Sequence, residues 1–121
     1  MANKSIESSL IAVLGQSKII LAPELLEQFA ASIHGNICLP IAVVKPSTES
    51  EVISIVQLAN QHQFSIFPLS RGKNLGYGDA QGTTSGQVIL DLSQMNNILE
   101  VDDQLCFATI RANRSPVPDC K

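Results

Sequence analysis

The segment PLSRGKNLGYGD, residues 68–79, concentrates residue types that bind phosphate. It contains two cations, Arg71 and Lys73, and three of the chain's seven glycines: Gly72, Gly76 and Gly78. Glycine adopts positive φ without a steric penalty and lets the backbone come close to a ligand. Successive backbone N–H groups in such a turn can converge on an anion, and cationic side chains add charge-assisted hydrogen bonds. These residues predict a site for a phosphate or pyrophosphate.

The common phosphate-binding motifs do not fit this segment. The pattern G-x-x-x-x-G-K-[ST] is absent from the chain. The pattern G-x-G-x-x-G fails because Gly82 follows Gly78 one residue too late, and no helical pattern opens there. The residues alone therefore leave two alternatives open, a phosphate cradle and a flexible, solvated connection between strands.

The elements around the segment predict where it lies. IAVVKP (41–46) and FSIFPLS (64–70) have the composition of buried strands. Between them, Val52, Ile55, Val56 and Ala59 fall on one face of a helix, which begins at a cap supplied by Ser47 or Thr48, with Ser47 favoured. Strand, helix and strand form a βαβ unit with parallel strands. The segment then leaves the carboxyl end of a parallel strand, where open α/β sheets bind ligands.

The remaining patterns complete an α/β prediction. Residues 5–15 and 22–32 have helical spacing, and the apolar run QVILDLSQM (87–95) is typical of a strand that is covered on both faces. ILEVDDQLCFATI (98–110) predicts a hairpin with its turn at residues 102–104. We therefore expect a small parallel sheet from residues 41–45, 64–69 and 87–93 with packed helices, followed by the start of a second, antiparallel subdomain.

Composition excludes several classes of protein. The net charge of −3 and the absence of a basic stripe argue against nucleic acid as a partner. The cysteines are odd in number, widely spaced and without C-x-x-C, so neither a disulfide framework nor a metal site is indicated: Cys38, Cys106 and Cys120. No apolar run reaches the ~18 residues of a membrane span, and the N-terminus lacks a secretory pattern. These features predict a soluble, cytoplasmic chain whose oligomeric state stays open.

Three ordered motifs carry a family resemblance. They are P-x-S-x-G-[KR]-N-x-G-x-G from residue 68, S-G-x-V-x-L-D-L from residue 85 and M-N-x-I-L-E-V from residue 95. From residue 39 to residue 110 the chain resembles the FAD-binding domain of the p-cresol methylhydroxylase and vanillyl-alcohol oxidase family. The Leu-Gly-Tyr-Gly version of the first motif is most similar to the branch that acts on para-substituted phenols.

The resemblance implies a role for each matching position. FAD would be the cofactor, and its pyrophosphate would be wrapped by one continuous loop: Ser70, Arg71, Gly72, Lys73, Asn74, Leu75, Gly76, Tyr77 and Gly78. Arg71 occupies a variable position of the motif. Asp91 is interpreted as a structural residue of the third strand, and His34 and His62 as structural or surface residues. No catalytic residue is assigned, because the family's covalent flavin anchor and substrate site belong to later parts of its chain.

The chain departs from the family after Ile110. Family members continue with E-P-G-V and are several times longer, whereas here RANRSPVPDCK follows. We expect an N-terminal helical segment (1–38), a partial FAD-binding domain (39–110) and an irregular tail (111–121), and we hypothesise that a frameshift at Arg111 produced the tail. A natural short protein with an unrelated tail is the alternative.

The resemblance implies a truncated N-terminal fragment of an FAD-dependent oxidoreductase for phenolic or hydroxy-acid substrates, inactive on its own. The alternative function is a non-catalytic nucleotide-binding or protein-interaction module that exposes the edge of its hairpin.

Overall fold

The computed structural model describes residues 2–30, 35, 37–70 and 81–112. Three α-helices and six strands occur in these ranges. The helices are α1 (Ala2–Leu14), α2 (Pro23–Gln28) and α3 (Glu49–His62). The strands are β1 (Ile19–Ile20), β2 (Ala42–Val44), β3 (Ile66–Leu69), β4 (Val88–Asp91), β5 (Ile98–Asp102) and β6 (Phe107–Ile110). No helix among the described residues has the length and apolar character needed to span a bilayer.

Four strands form one sheet in the order β1-β2-β4-β3. The strands β2, β4 and β3 run parallel, with Val44 opposite Leu90 and Leu69 opposite Asp91, whereas β1 joins β2 antiparallel. The central strand β4 is buried along its whole length, as expected of a strand covered on both faces. The α/β fold class and the small parallel sheet that the sequence predicts are confirmed.

Helices cover both faces of this sheet because successive strand residues point to opposite sides. Val44, Val88 and Leu90 belong to a core that α1 and α3 close with Leu10 and Ile55. On the opposite face, Val43, Ile89 and Leu69 pack with Leu26 of α2. The result is a three-layer arrangement in which the parallel strands are held from two sides.

The cap of α3 differs from the favoured assignment. Thr48 is the N-cap, with extended backbone angles of φ −126 and ψ 156, and its hydroxyl accepts a hydrogen bond from the Glu51 N–H at 3.3 Å. Ser47 lies one residue earlier, and its own backbone N–H donates to Glu51 Oε2 at 3.0 Å. The prediction of Ser47 as the N-cap was wrong. Both hydroxyls could accept the capping hydrogen bond, and the backbone angles determine which residue is the N-cap.

Several element boundaries also differ from those predicted. The helix α1 begins at Ala2 rather than residue 5, and α2 ends at Gln28, four residues earlier than predicted. The strand β4 stops at Asp91 because the Asp91 carboxylate accepts a hydrogen bond from the Ser93 N–H and starts a 3₁₀ turn at Leu92–Gln94. The two-residue strand β1 has no counterpart in the sequence patterns.

The predicted hairpin is confirmed as a separate two-stranded antiparallel sheet, β5 with β6. Its turn is closed by Asp102, whose Oδ1 accepts hydrogen bonds from the N–H groups of Gln104 at 3.0 Å and Leu105 at 2.7 Å. Cys106 completes the turn with a positive φ of 56°. An Asx-type turn of this kind is what the Asp102-Asp103-Gln104 sequence favours.

Candidate functional site

Ser70 is the one predicted site residue within the described ranges. It directly follows β3, and its hydroxyl donates a hydrogen bond to the Ala112 carbonyl at 2.5 Å. Arg71 through Gly78 lie outside the described residues. The described structure therefore fixes where the predicted loop begins and which part of the chain its first residue contacts.

The loop begins at the carboxyl edge of the parallel strands. Lys45 follows β2, Asp91 ends β4 and Ser70 follows β3, so all three lie at the same edge of the sheet. This edge is the usual ligand-binding edge of open parallel sheets.

Asp91 is held by two partners at this edge. Its Oδ1 accepts from the Ser93 N–H at 2.9 Å, and its Oδ2 lies 3.7 Å from Lys45 Nζ on the neighbouring strand. The Asp91 side chain is only 10% exposed. These contacts support the structural interpretation of Asp91, because a buried carboxylate engaged through both oxygens braces β2 against β4 and the 3₁₀ turn.

A second polar cluster lies where β2 leads into α3. Lys18 Nζ donates to Ser47 Oγ at 2.9 Å and to Glu51 Oε1 at 2.5 Å. The hydrogen bond from Lys18 and then that from the Ser47 N–H hold the pKa of the Glu51 carboxyl below its ordinary value. The cluster ties the turn at Gln16–Lys18 to the first turn of α3.

The return from the loop to β4 is anchored by Gln87, which the sequence analysis did not single out. The buried Gln87 side chain accepts, through Oε1, a hydrogen bond from the Thr84 N–H at 3.2 Å. Gly82 packs so closely that a Cβ placed there would lie 2.6 Å from the same oxygen. The Ile41 N–H donates to the Gln87 carbonyl at 2.9 Å. This hydrogen bond holds the last residue before β4 at the amino edge of the sheet.

The histidines do not form a catalytic site in the described residues. His62 Nε2 lies 3.2 Å from Ser9 Oγ and thereby joins α3 to α1. The Ser9 hydroxyl also donates to the Ser5 carbonyl at 2.9 Å, so Ser9 has a structural contact on each side. His34 lies outside the described residues.

Comparison with known families identifies the domain that contains this edge. Residues 40–112 match the family described as FAD binding domain. The chain belongs to the FAD-binding domain family. The match contains β2, α3, β3, β4 and the hairpin, together with the predicted loop. It favours FAD binding over the interaction-module alternative, and it makes FAD the cofactor of this domain.

Individual relatives agree with the family assignment. The chain is 41% identical over 71 residues to the flavoprotein subunit of 4-cresol dehydrogenase (hydroxylating) of Pseudomonas putida, and the alignment covers 59% of this chain and 14% of that protein. It is 36% identical over 69 residues to the 1'-carboxy-chondrochloren decarboxylase of Chondromyces crocatus, covering 57% of this chain and 13% of that protein.

A solved structure shows the same arrangement of elements. The crystal structure of p-cresol methylhydroxylase with substrate bound superimposes with a TM-score of 0.86 at 28% identity, covering 94% of this chain and 23% of that one. The chain thus spans less than a quarter of the length of each of these three proteins.

Two described polar residues lie at the carboxyl edge where the predicted loop begins. The carboxyl edge carries the Lys45 ammonium and the Ser70 hydroxyl, and the loop that begins at Ser70 holds two further cations in its sequence. Positive charge and hydroxyl donors beside strand ends are the groups that a pyrophosphate requires.

Proposed function

We propose that residues 70–78 bind the pyrophosphate of FAD and that this chain supplies the first part of the flavin domain of an FAD-dependent oxidoreductase. The observation that carries the proposal is the start of this glycine-rich, dicationic segment at the carboxyl edge of β3, inside the FAD-binding family match. The proposed contacts are backbone N–H groups of the loop, supplemented by the Lys73 and Arg71 side chains.

The substrate of the whole protein is proposed to be a para-substituted phenol, with hydroxy acids as the second class. The 41% identity to a 4-cresol dehydrogenase flavoprotein subunit and the superposition on p-cresol methylhydroxylase support the phenolic class. A relative named as a decarboxylase is 36% identical, so the reaction varies among related proteins.

The residues of this chain contribute binding and positioning. When bound, FAD would supply the redox chemistry, because its flavin ring accepts hydride. The loop would hold the dinucleotide by its phosphates. Its first residue, Ser70, would be fixed by the hydrogen bond to Ala112. The Lys45–Asp91 pair would brace β2 against β4, beside the strand from which the loop emerges.

Titration calorimetry of the 121-residue chain with FAD and with ADP tests the loop assignment. Four to six charge-assisted hydrogen bonds of roughly 1.5–3 kcal/mol each must offset an association cost of at least ~4 kcal/mol and the ordering of the loop. We expect a Kd no tighter than tens of micromolar, similar for both ligands because they share the pyrophosphate. Submicromolar FAD binding with a strong preference over ADP would contradict recognition through the pyrophosphate alone.

The variant Lys73→Gln sharpens this test. Removing one charge-assisted phosphate contact should weaken FAD and ADP binding by about tenfold each, since 1.4 kcal/mol corresponds to a factor of ten. Lys4→Gln is the matched control, because Lys4 is an exposed lysine of α1 whose loss changes the net charge equally. Equal effects of the two substitutions would mean that only net charge matters and would remove the Lys73 side chain from the site.

A further inference from the structure

Arg111 is a cation to which neither the family motifs nor the predicted loop give a role. It directly follows β6, and it is half-buried. Its backbone N–H donates to the Asn97 carbonyl at 2.9 Å, so the antiparallel ladder of the hairpin extends to this residue. The backbone of Arg111 is therefore held in place by hydrogen bonds of the protein itself.

The residue after Arg111 connects it to the start of the predicted loop. The Ala112 carbonyl accepts the hydrogen bond from the Ser70 hydroxyl at 2.5 Å. Consecutive Cα atoms are about 3.8 Å apart, so Arg111 is a single residue away from this contact at the carboxyl edge of the parallel strands. An arginine carries its guanidinium on a long aliphatic stem, which brings the charge within reach of a ligand at this edge.

The charges of the described residues leave Arg111 unpaired. Asp91 ends β4 at the same edge, and its Oδ2 is matched by Lys45 Nζ at 3.7 Å. On the hairpin, Glu100 Oε2 lies 3.5 Å from Thr109 Oγ1. No carboxylate in the described part of the chain forms an ion pair with Arg111. Arginine is mostly exposed in proteins and is seldom buried unless it is paired, so a half-buried, unpaired guanidinium favours an anionic ligand.

We propose that the Arg111 guanidinium is a further ligand-binding group of this domain and holds a phosphate of the dinucleotide from the hairpin side. A planar guanidinium donates two parallel hydrogen bonds to a phosphate, which a lysine ammonium cannot do. The contact rests on the proposed function, because it requires a pyrophosphate at the loop that begins at Ser70. Arg111 lies where the chain departs from the family resemblance, at a point where family members carry Glu. The contact therefore belongs to this chain and not to the family motifs.

The backbone contacts of Arg111 make the hairpin part of the phosphate site. Its N–H is bonded to Asn97, and the next residue, Ala112, is bonded to Ser70. A ligand that binds only the folded arrangement stabilises the elements that hold it. Pyrophosphate should therefore protect the amides of β5 and β6 from hydrogen exchange, although neither hydrophobic cluster of the described residues includes a residue of the hairpin.

Titration calorimetry of the 121-residue chain with inorganic pyrophosphate, with ADP and with FAD tests the contact. Arg111→Gln removes the charge, and Arg111→Lys keeps the charge but removes the planar fork. Lys4→Gln is the matched control, because it removes one charge from an exposed position of α1. The backbone N–H that donates to Asn97 is retained in all three variants.

We expect R111Q to weaken the binding of all three ligands by about tenfold, the scale of one charge-assisted phosphate contact. R111K should weaken binding by about threefold, since the charge stays and the bidentate geometry is lost. K4Q should remain within about twofold of wild type at about 0.15 M salt, because salt screens an exposed charge. Saturating pyrophosphate should slow exchange of the β5 and β6 amides in wild type and K4Q, and less so in R111Q.

Three results would overturn the contact and leave the loop assignment standing. The first is binding by R111Q within twofold of wild type, and the second is a loss in R111Q that K4Q matches. The third is an equal loss of binding in R111Q and R111K together with faster exchange of the hairpin amides in both unliganded variants, which would show that Arg111 holds the hairpin and not the phosphate.

The contact and the proposed function fail in distinguishable ways. A wild-type chain that binds none of the three ligands would overturn both. Binding that is lost in R111Q and unchanged in Lys73→Gln would support the Arg111 contact and remove the Lys73 side chain from the site.

Discussion

At the residue scale, the close contact between Gly82 and Gln87 sets the shape of the return from the loop. An added Cβ at Gly82 would lie 2.6 Å from Gln87 Oε1, an atom that already accepts from the Thr84 N–H. We expect Gly82→Ala to lower the free energy of unfolding by about 1 kcal/mol, because the end of the Gln87 side chain must move and its part-buried hydrogen bond is displaced. Urea unfolding monitored by circular dichroism measures the change.

A double-mutant cycle assigns the cause of this loss. In a Gln87→Ala background the obstructing oxygen is gone, so Gly82→Ala should cost much less than in the wild type. A cost that is unchanged in that background would show that Gly82 matters through its own backbone and not through contact with Gln87.

Residue identity predicted some of these roles and missed others. The glycine and charge content of residues 68–79 is visible in the sequence, and the place of Asp91 in the third predicted strand indicates the structural role that its contacts with Lys45 and Ser93 support. Gln87 occupies a variable position of the second motif, so the sequence does not mark it. Its role comes from the approach of Gly82 and Thr84 in the folded chain. The choice between Ser47 and Thr48 as cap likewise depended on backbone angles that neighbouring residue types do not determine.

At the element scale, Glu51 links the first turn of α3 to Lys18. The hydrogen bonds from Lys18 and Ser47 lower the pKa of the folded-state carboxyl from 4.5. A lowered folded pKa means that the contribution to stability is complete above the unfolded pKa and is lost as the pH falls through the folded value. Glu51→Gln should therefore be destabilising at pH 7, by a few tenths to about 1 kcal/mol for a partly exposed pair. The difference from wild type should shrink below pH ~4.5.

Thermal unfolding of both proteins between pH 7 and pH 3 checks this prediction. Glu49→Gln serves as the control, since Glu49 is also in the first turn of α3 and shares its favourable interaction with the helix dipole. The loss of stability in E51Q relative to wild type could persist unchanged at pH 3, or could equal the loss in E49Q at every pH. Either result would contradict a specific role for the Lys18 contact.

Elements with a strong periodicity of apolar residues were predictable from the sequence, and short elements were not. The strand–helix–strand unit and the hairpin follow from apolar spacing and the Asp102 turn. The strand β1 consists of two residues and exists only because Ile19 and Ile20 can pair with β2, a tertiary contact without a local signature. One apolar position was also misjudged, since Val56 is exposed although it lies on the predicted apolar face of α3.

At the scale of the whole molecule, the N-terminal segment belongs to the same folded unit as the FAD-binding match. The match begins at residue 40, yet Ile6, Leu10 and Leu14 of α1 share one core cluster with Val44, Val88 and Ile55. A contact between His62 and Ser9 joins the same helices at their surface. The predicted N-terminal helical segment (1–38) contributes α1, which covers one face of the sheet.

This arrangement makes the stability of the parallel sheet depend on α1. Leu10 is fully buried, so Leu10→Ala removes apolar contacts and leaves a cavity between α1 and the sheet. We expect a loss of about 2–5 kcal/mol in the free energy of unfolding, the range for large-to-small substitutions in a core. A domain of this size is stable by only about 5–15 kcal/mol. Such a loss would therefore raise the fraction of unfolded chain, which proteases cleave.

Val13→Ala on the same helix is the matched control, since Val13 is 43% exposed and its substitution should change stability by about 0.5 kcal/mol or less. Hydrogen exchange locates the effect: in L10A the amides of β2 and β4 should lose protection together with those of α1, because all three contribute to one core cluster. If L10A released α1 alone and left β2 and β4 protected, residues 40–112 would fold without the N-terminal helix, and α1 would be an appendage and not a layer of the flavin-binding unit.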